Sequence, residues 1–338
     1  MRNCTKHQLL YFYPAALQMQ ALRNIVILGT GGTIAGVAHP DSADAAYTAG
    51  VLPIDSLVAA VPGLRQAARV QAEQVANVDS KDMGDALWLR LAARVRDWLA
   101  RDDIDGCVVT HGTDTLEETA YFLHLVHASH KPCVLTAAMR PASSPEADGP
   151  QNLLDAVHVA ASPHACGRGV LCIMHGRIHA AARIRKLHTS RIDAFDSVGS
   201  APVGRVAAGI VRLDDEPPRS HDWGTHALPA ALPAVPIVLS HAGVDATAVE
   251  AHLRQGVRGL VVAGTGNGTM HAALEAALLR AQTAGVRVVR ASRVPYGDVP
   301  RIEGRPFEPS GTLSPYQARI RLMLELAAAQ PAGMPGGA

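Results

Sequence analysis

The apolar positions of this chain fall into short, unbroken runs, each closing on a cluster of turn and hydroxyl residues. "NIVILGTGGTIAG", from Asn24, is β-branched and then Gly-rich. Strand followed by polar turn returns in "GCVVTHGTDT" from Gly106, "KPCVLTAAMRP" from Lys131 and "GVLCIMHGR" from Gly169. It returns again in "GLVVAGTGNGT" from Gly259 and "VRVVRASRVP" from Val286. Between the runs lie stretches with helical period: Asp85–Leu99, Leu116–Ser129 and Ala272–Ala284. Strands without alternation are apolar on both faces, and the helices between them supply the cover. The pattern predicts an α/β protein built on parallel sheets.

From about Leu213 to Pro236 the pattern stops. "LDDEPPRSHDWGTHALPAALPAVP" is rich in Pro and polar residues and has no helical period, which predicts a linker. It divides a larger, parallel-sheet N-terminal domain, residues 22–212, from a smaller, Rossmann-like C-terminal domain, residues 237–330. "PAGMPGGA" (331–338) reads as a tail. Residues 1–21 read as an unstructured extension rather than a signal peptide, because Tyr13-Pro14 interrupts the apolar stretch and Met19 offers a second start.

Composition closes off several functions. The 338 residues suffice for two domains, and 48% apolar with 18% charged residues is a folded composition. A net charge of +1 gives no basic field for nucleic acid, and 4% aromatic residues give no base-stacking surface. No run reaches the roughly 18 apolar residues of a membrane helix. Cys4, Cys107, Cys133, Cys166 and Cys172 form no CxxC pair; Cys107, Cys133 and Cys172 read as small buried hydrophobes of a reducing compartment.

Parallel sheets bind ligands at the carboxyl ends of their strands, where the polar clusters stand. "GTGGTIAG" (29–36) misses the dinucleotide fingerprint because Ile34 occupies a required Gly position. It misses a P-loop through Ile34 or, counted from Gly31, through Val37. "GTGNGT" (264–269) fails the same spacing and reads as a strand-end loop. What the first turn retains is the hydroxyl of Thr33, expected to be exposed. In "THGTDTLEE", capping by Asp114 or Thr115, with Glu117 and Glu118 on the helix dipole, accounts for only part of the cluster. His124, His127 and His130, at spacing three, do not share one helix face and read as half-exposed, not as a metal site. His175 and His179 lack a third ligand. Thr33, Ser80, Thr113, Asp114 and Lys186 remain. Threonines, a carboxylate and a lysine suit attack on an amide, since a Thr hydroxyl needs a base to take its proton.

These residues sit in longer stretches through which the chain, from about Asn24 to Leu326, resembles the bacterial-type L-asparaginases and glutaminase-asparaginases. "TGGTIAG" (30–36) and "THGTDTLEETAYFL" (110–123) are similar to that family's two signatures. "YTAG" (47–50), "AMRP" (138–141), "ADGPQNLLDAV" (147–157), "SRVP" (292–295) and "SGTLSPYQAR" (310–319) extend the likeness.

The resemblance implies hydrolysis of L-asparagine to L-aspartate and ammonia, with a glutaminase-asparaginase acting also on L-glutamine as the alternative. It implies Thr33 as the nucleophile of an acyl-enzyme, with Thr113 the other candidate. Thr33 would lie on a mobile lid that also carries Tyr47. It implies that Lys186 and Thr113 handle protons, that Ser80 and Asp114 bind the substrate's charged ends, and that backbone amides near Thr113 and Ala138 form an oxyanion hole. By spacing alone, Lys186 among Arg183, Arg185 and Arg191 would read as a solvated basic face.

The resemblance also implies no metal, no organic cofactor, and a homo-oligomer, a dimer of intimate dimers. Thr269, at the position of a family Asn, and Glu303, the nearest acidic candidate, would serve the neighbouring subunit's site. The chain departs from the family at Lys81, where secreted members often carry Gln or Glu. Lys81 is therefore expected either to point away from the substrate ammonium or to alter specificity. Arg101 and Ser129 stand where a secreted disulfide would have its cysteines, which fits a cytoplasmic enzyme; a periplasmic address follows if residues 1–21 are a signal peptide. An amidotransferase subunit is disfavoured because no added tRNA-binding domain is recognisable, and a Rossmann nucleotide module because the glycine spacing is broken. A non-catalytic amino-acid sensor would release no ammonia.

Overall fold

The computed structural model describes residues 21–38, 47–214 and 228–329. Nearly all of the expected extension, the tail, most of the linker, Cys4 and, of the expected lid, residues 39–46 lie outside the described residues.

The large domain contributes β1 (Asn24–Gly31), β2 (Val37–Ala38), β3 (Tyr47–Thr48), α1 (Ile54–Ala59), α2 (Leu64–Ala67), β4 (Arg69–Val78), α3 (Asp85–Leu99), β5 (Gly106–Thr110), α4 (Leu116–Val126), β6 (Cys133–Thr136) and α5 (Gly149–Ala161). It continues with β7 (Val170–Met174), β8 (Arg177–Ala180), β9 (Ile184–Lys186), β10 (Phe195–Ser197), β11 (Gly204–Ala207) and β12 (Ile210–Leu213). Its main sheet has the order β12-β11-β8-β7-β6-β5-β1-β4.

From β4 through β7 the pairing is parallel. β5, β6 and β7 are buried along their whole length, as strands covered on both faces must be. One face packs on α3 and α4 through Val26, Val109, Leu135 and Cys172. The other packs on α1, α2 and α5 through Ile25, Val108, Val134 and Leu171. Cys107, Cys133 and Cys172 are buried and unpaired.

The sheet then turns antiparallel. "GVLCIMHGR" does not close on a ligand loop: His175 (φ 49°) and Gly176 (φ 71°) form a two-residue turn that reverses the chain into β8. β11 and β12 add a further antiparallel hairpin.

The small domain holds β13 (Ile237–Leu239), α6 (Thr247–Arg254), β14 (Gly259–Gly264), α7 (Ala272–Thr283), β15 (Arg287–Ser292), β16 (Glu308–Pro309) and α8 (Pro315–Ala328). Its four strands are parallel, in the order β13-β14-β15-β16. α8 opens with a reciprocal cap: Ser314 Oγ accepts from Gln317 N, and Gln317 Oε1 accepts from Ser314 N. Tyr121 and Phe122 of α4 share a core with Leu322, Met323 and Leu326 of α8, so the domains are joined through apolar burial. Gln317, fully buried, adds a hydrogen bond to Ala182 O at 3.2 Å.

α4 stops at Val126, three residues before the predicted end, because His127 turns extended (ψ 114°) and bonds Lys131 O at 3.1 Å. The helix is buried nearly all round, so the expected half-exposed histidine face is absent. His124 is 2% exposed and accepts a bond from Val170 N at 3.3 Å. A helix wrapped on one side by the sheet and on the other by α8 has no solvent stripe to fill. Among the described residues no helix is long and apolar enough to cross a membrane, and no group of three or more His, Cys, Asp or Glu stands ready for a metal.

Two other histidines are fully buried. Burial drives His111 and His179 from the usual 6.5 down to about 4. Between these pH values the unfolded chain protonates both rings and the folded chain protonates neither. Their stabilisation is therefore complete above about pH 6.5 and is lost as the pH falls towards 4. We expect His179→Gln to lower the proton uptake on unfolding near pH 5.2 by about one. Urea unfolding as a function of pH measures this; an unchanged slope would contradict it.

Candidate active site

Four neighbouring parallel strands, β4, β1, β5 and β6, end at one level: Gly31 pairs with Val78, Gly29 with Thr110, and Thr110 with Thr136. The loops that follow carry Ser80, Thr33, Thr113 and Ala138. The chain leaves β1 for β4 on one side and then crosses to β5 on the other. Such a divergence of connections opens a crevice at the strand ends.

Within this crevice three loops touch through glycine. Gly32 has φ 80° and ψ −173°, a conformation open only to glycine. A Cβ on Gly32 would lie 2.3 Å from the backbone of Gly112, and one on Gly112 would lie 2.4 Å from Ser80 Oγ. Further bonds tie the same loops: Thr30 Oγ1 donates to Thr110 O (2.9 Å), and Thr115 Oγ1 donates to Ser80 O (2.7 Å). Asp114 N donates to Ser80 Oγ (3.2 Å). Thr115 occupies the N-cap position of α4 without capping it through its side chain, and Asp114 also turns elsewhere.

Thr33 begins a single 3-10 turn, Thr33–Ala35. It is 5% exposed, not out in solvent as the Gly-rich turn suggested; the preceding Gly32 is packed on Gly112 and hydrogen-bonded to Val78 O at 2.8 Å. Its Oγ1 lies 2.7 Å from the Tyr47 hydroxyl, which β2–β3 pairing brings alongside.

Lys186 ends β9 and pairs in register with Phe195 of β10. Its Nζ donates to Thr113 Oγ1 at 2.9 Å and to Asp114 Oδ1 at 2.7 Å. The side chain is 21% exposed, so the lysine is no part of a solvated face. Its backbone N donates to Glu117 Oε2 at 3.1 Å. Burial raises the Glu117 carboxyl above the usual range, and the nearby Arg185 charge opposes that rise.

Ala138 is fully buried, and the loop it starts is fixed by Asp148, whose carboxylate accepts from the amides of Met139 (3.0 Å) and Arg140 (3.0 Å). Asn152, one turn along α5, donates to Ala137 O at 2.9 Å. The sequence alone gives Asp148, Asn152 and Glu117 no role in the site. The i, i+4 spacing of Asp148 and Asn152 within "ADGPQN" was the available signal. Glu117 offered none beyond a helix-dipole site.

Lys81 is exposed and ion-paired with Asp79, with Asp82 3.7 Å away. Thr269 and Glu303 are exposed on the small domain. Thr269 bonds within its own loop, to Thr265. Neither is brought to Thr33 or Thr113 within the single chain. A hollow of about 150 Å³ lies between the domains, lined by Glu117, Arg185, Lys186, Arg293, Thr312 and Tyr316 among others. It shares Lys186 with the strand-end cluster but not Thr33, Ser80 or Thr113.

A two-domain α/β protein with paired hydroxyls, a lysine and a carboxylate at the carboxyl ends of a parallel sheet is thus defined. The chain belongs to the asparaginase family: the family profiles Asparaginase, N-terminal and Glutaminase/Asparaginase C-terminal domain match residues 24–219 and 234–332. It is 41% identical to L-asparaginase 2 of Escherichia coli (strain K12) over 313 residues, 90% of this chain and 89% of that protein. It is 37% identical to the glutaminase-asparaginase of Pseudomonas fluorescens biotype A over 337 residues, 95% of this chain and 93% of that protein. The crystal structure of probable cytoplasmic L-asparaginase from Campylobacter jejuni superposes with a TM-score of 0.83 at 38% identity, covering 90% of this chain and 95% of that one.

The glycine contact has a measurable cost of replacement. We expect Gly32→Ala to destabilise the fold by on the order of 3 kcal/mol, combining a conformation that alanine rarely adopts with overpacking against Gly112. Denaturant unfolding tests this; a loss below about 0.5 kcal/mol, the range of a neutral surface change, would show that the loops part without penalty.

Proposed function

We propose that the protein is an L-asparaginase, which hydrolyses the side-chain amide of L-asparagine to L-aspartate and ammonia. The observation that carries this reading is one arrangement. Lys186 Nζ reaches both Thr113 Oγ1 and Asp114 Oδ1, and the glycine contact holds that cluster against the Thr33–Tyr47 pair.

In this mechanism Thr33 Oγ adds to the amide carbon. The Tyr47 oxygen accepts the threonine proton as Tyr47 passes its own towards the leaving nitrogen, so Tyr47 stays neutral. The carbon–nitrogen bond breaks and ammonia departs, leaving an ester on Thr33. Water then adds to the ester as the Thr113 hydroxyl takes one of its protons and passes its own to Lys186, which acts in this step as the neutral amine. The bond between the acyl carbon and Thr33 Oγ breaks, the proton taken up by Lys186 returns to that oxygen, and aspartate leaves. Backbone amides near Thr113 and Ala138 face the developing oxyanion, where fixed donors count most. Ser80, whose Oγ already accepts from Asp114 N, retains its hydroxyl proton for the substrate α-carboxylate. Asp114 keeps Oδ2 for the α-ammonium. The Lys81 charge is engaged by Asp79 and Asp82, which supports its pointing away from the substrate. No metal or organic cofactor enters these steps.

Ammonia release from Asn and Gln, measured side by side, tests the activity and ranks asparaginase against glutaminase-asparaginase. We expect Thr33→Ala to lower kcat by several orders of magnitude, as loss of a covalent nucleophile does. A Thr33→Ala enzyme of near-normal turnover would transfer the nucleophile role to Thr113. We expect Lys186→Met to lower kcat strongly while the separately measured Kd for aspartate stays within about 3-fold, since the substrate's charged ends fall to Ser80 and Asp114. Normal kcat with weakened binding would make Lys186 a substrate clamp instead.

The proposal includes a homo-oligomer, a dimer of intimate dimers, in which Thr269 and Glu303 serve the neighbouring subunit. Their exposure on the single chain supports that reading. Light scattering should give a tetramer, and an active monomer at nanomolar concentration would overturn it. A cytoplasmic address completes the proposal, supported by Arg101 and Ser129 at the would-be disulfide positions and by the unpaired Cys107, Cys133 and Cys172.

A further inference from the structure

We infer that Glu117 is a positioning residue for Lys186, gripping its backbone while Thr113 and Asp114 grip its amine. The inference rests on the proposed role of Lys186. Its geometric basis is separate: five consecutive residues, 113–117, make all three of these contacts.

Lys186 needs such a hold. β9 spans three residues and, among the described residues, pairs only with the three-residue β10. A two-stranded ribbon of this length has marginal stability of its own. The Lys186 N–H donates to Glu117 Oε2 at 3.1 Å, while the next amide, Leu187 N, donates to Ala194 O at 2.7 Å. The hydrogen bond from α4 therefore fixes the lysine where the ribbon ends. α4 is a firm base for it, since Leu116, Ala120, Tyr121 and Phe122 are fully buried.

Service to the helix dipole does not account for this carboxylate. Glu118 occupies the same first turn and lies 3.8 Å from Arg319. A charge wanted only for the dipole works at an exposed position; drawing it under cover costs free energy unless a specific partner receives it. Here the partners are the Lys186 amide and the positive field of Arg185, itself 8% exposed.

Three variants separate reach from charge. Glu117→Gln keeps the length and an acceptor oxygen but removes the charge. Glu117→Asp keeps the charge and loses one methylene of reach. Glu117→Leu loses both. We expect Leu and Asp to lower kcat about 100-fold, the effect of an ångström-scale misplacement, with the Kd for aspartate changed less than about 3-fold. Gln should stay within about 5-fold of wild type in kcat, the effect expected when the positioning bond is retained.

Hydrogen exchange in the peptide 184–188 should quicken in the Leu and Asp variants and not in Gln. Wild-type kcat and unchanged exchange in the Leu variant would overturn the inference. So would Gln behaving like Leu while Asp behaves like wild type, which would make charge, not position, the contribution. Should Leu fail to fold, Asp and Gln decide the matter. Wild type and Lys186→Met are assayed alongside. A wild type that releases no ammonia sinks the proposed function, and the exchange result still decides the hold on Lys186.

Discussion

The site depends on how closely two backbones can approach. Gly32 after β1 and Gly112 after β5 meet with no room for a side chain on either, and Ser80 packs on the same spot. Strand register delivers these loops to one level, but register alone leaves about 4.8 Å between strands and says nothing of loops. The glycine contact brings the hydroxyl of Thr33 to the cluster of Thr113, Asp114 and Lys186. The glycines that looked like a damaged phosphate loop thus have another use. They let protein backbone, not phosphate, come close.

The second constraint is electrostatic. Lys186 brings an ionisable amine into a site that is only partly open to water, and the amine is held there by one hydroxyl and one carboxylate. Asp114 is about half exposed, so its pairing with Lys186 is screened and exchangeable. That suits a carboxylate proposed to receive a second cation, the substrate ammonium. Glu117 and Arg185 lie deeper and are correspondingly less screened. The array runs from the half-buried Glu117, in the field of the buried Arg185, to a wet, exchangeable pair, with the lysine between them.

Legibility in the sequence followed the physics of each element. β1, β5, β6 and β14 were plain because strands buried on both faces have no polar alternation to confuse them. α3 was located to the residue, since its amphipathic period is uninterrupted. α4 was overrun at its end because its period carries on through His127 while the backbone does not. β8 was missed because "RIHA" after a two-residue turn has too few residues to show a period. Of the candidate site, Thr33, Ser80, Thr113, Asp114 and Lys186 are legible in the sequence. The burial of Thr33 is not, because a Gly-rich turn reads as open until Gly112, 80 residues on from Gly32, is packed against it. Glu117 was hidden for a related reason. Its partner is a backbone amide 69 positions away, and backbone amides leave no trace in a sequence.

The supports of the two halves of the site differ in kind. Thr113, Asp114 and Lys186 are held by α4, by β5 and by one another. Thr33 is held by a single 3-10 turn and by Tyr47, which reaches it from a ribbon with two residues in each strand. A proposed nucleophile that must accept an acyl group and then release it moves relative to its surroundings twice in each turnover, whereas the groups that bind charged ends and relay protons gain most from staying still. The fold distributes its rigidity accordingly. Under the proposed roles, Thr113 and Asp114 sit on the loop between the central strand β5 and the buried helix α4, with Lys186 tied to them, and the acyl-accepting hydroxyl sits on a short turn whose backbone is packed at Gly32. Under the proposed roles, substitutions in the first set are therefore read by separating kcat from Kd, and those in the second by loss of covalent turnover.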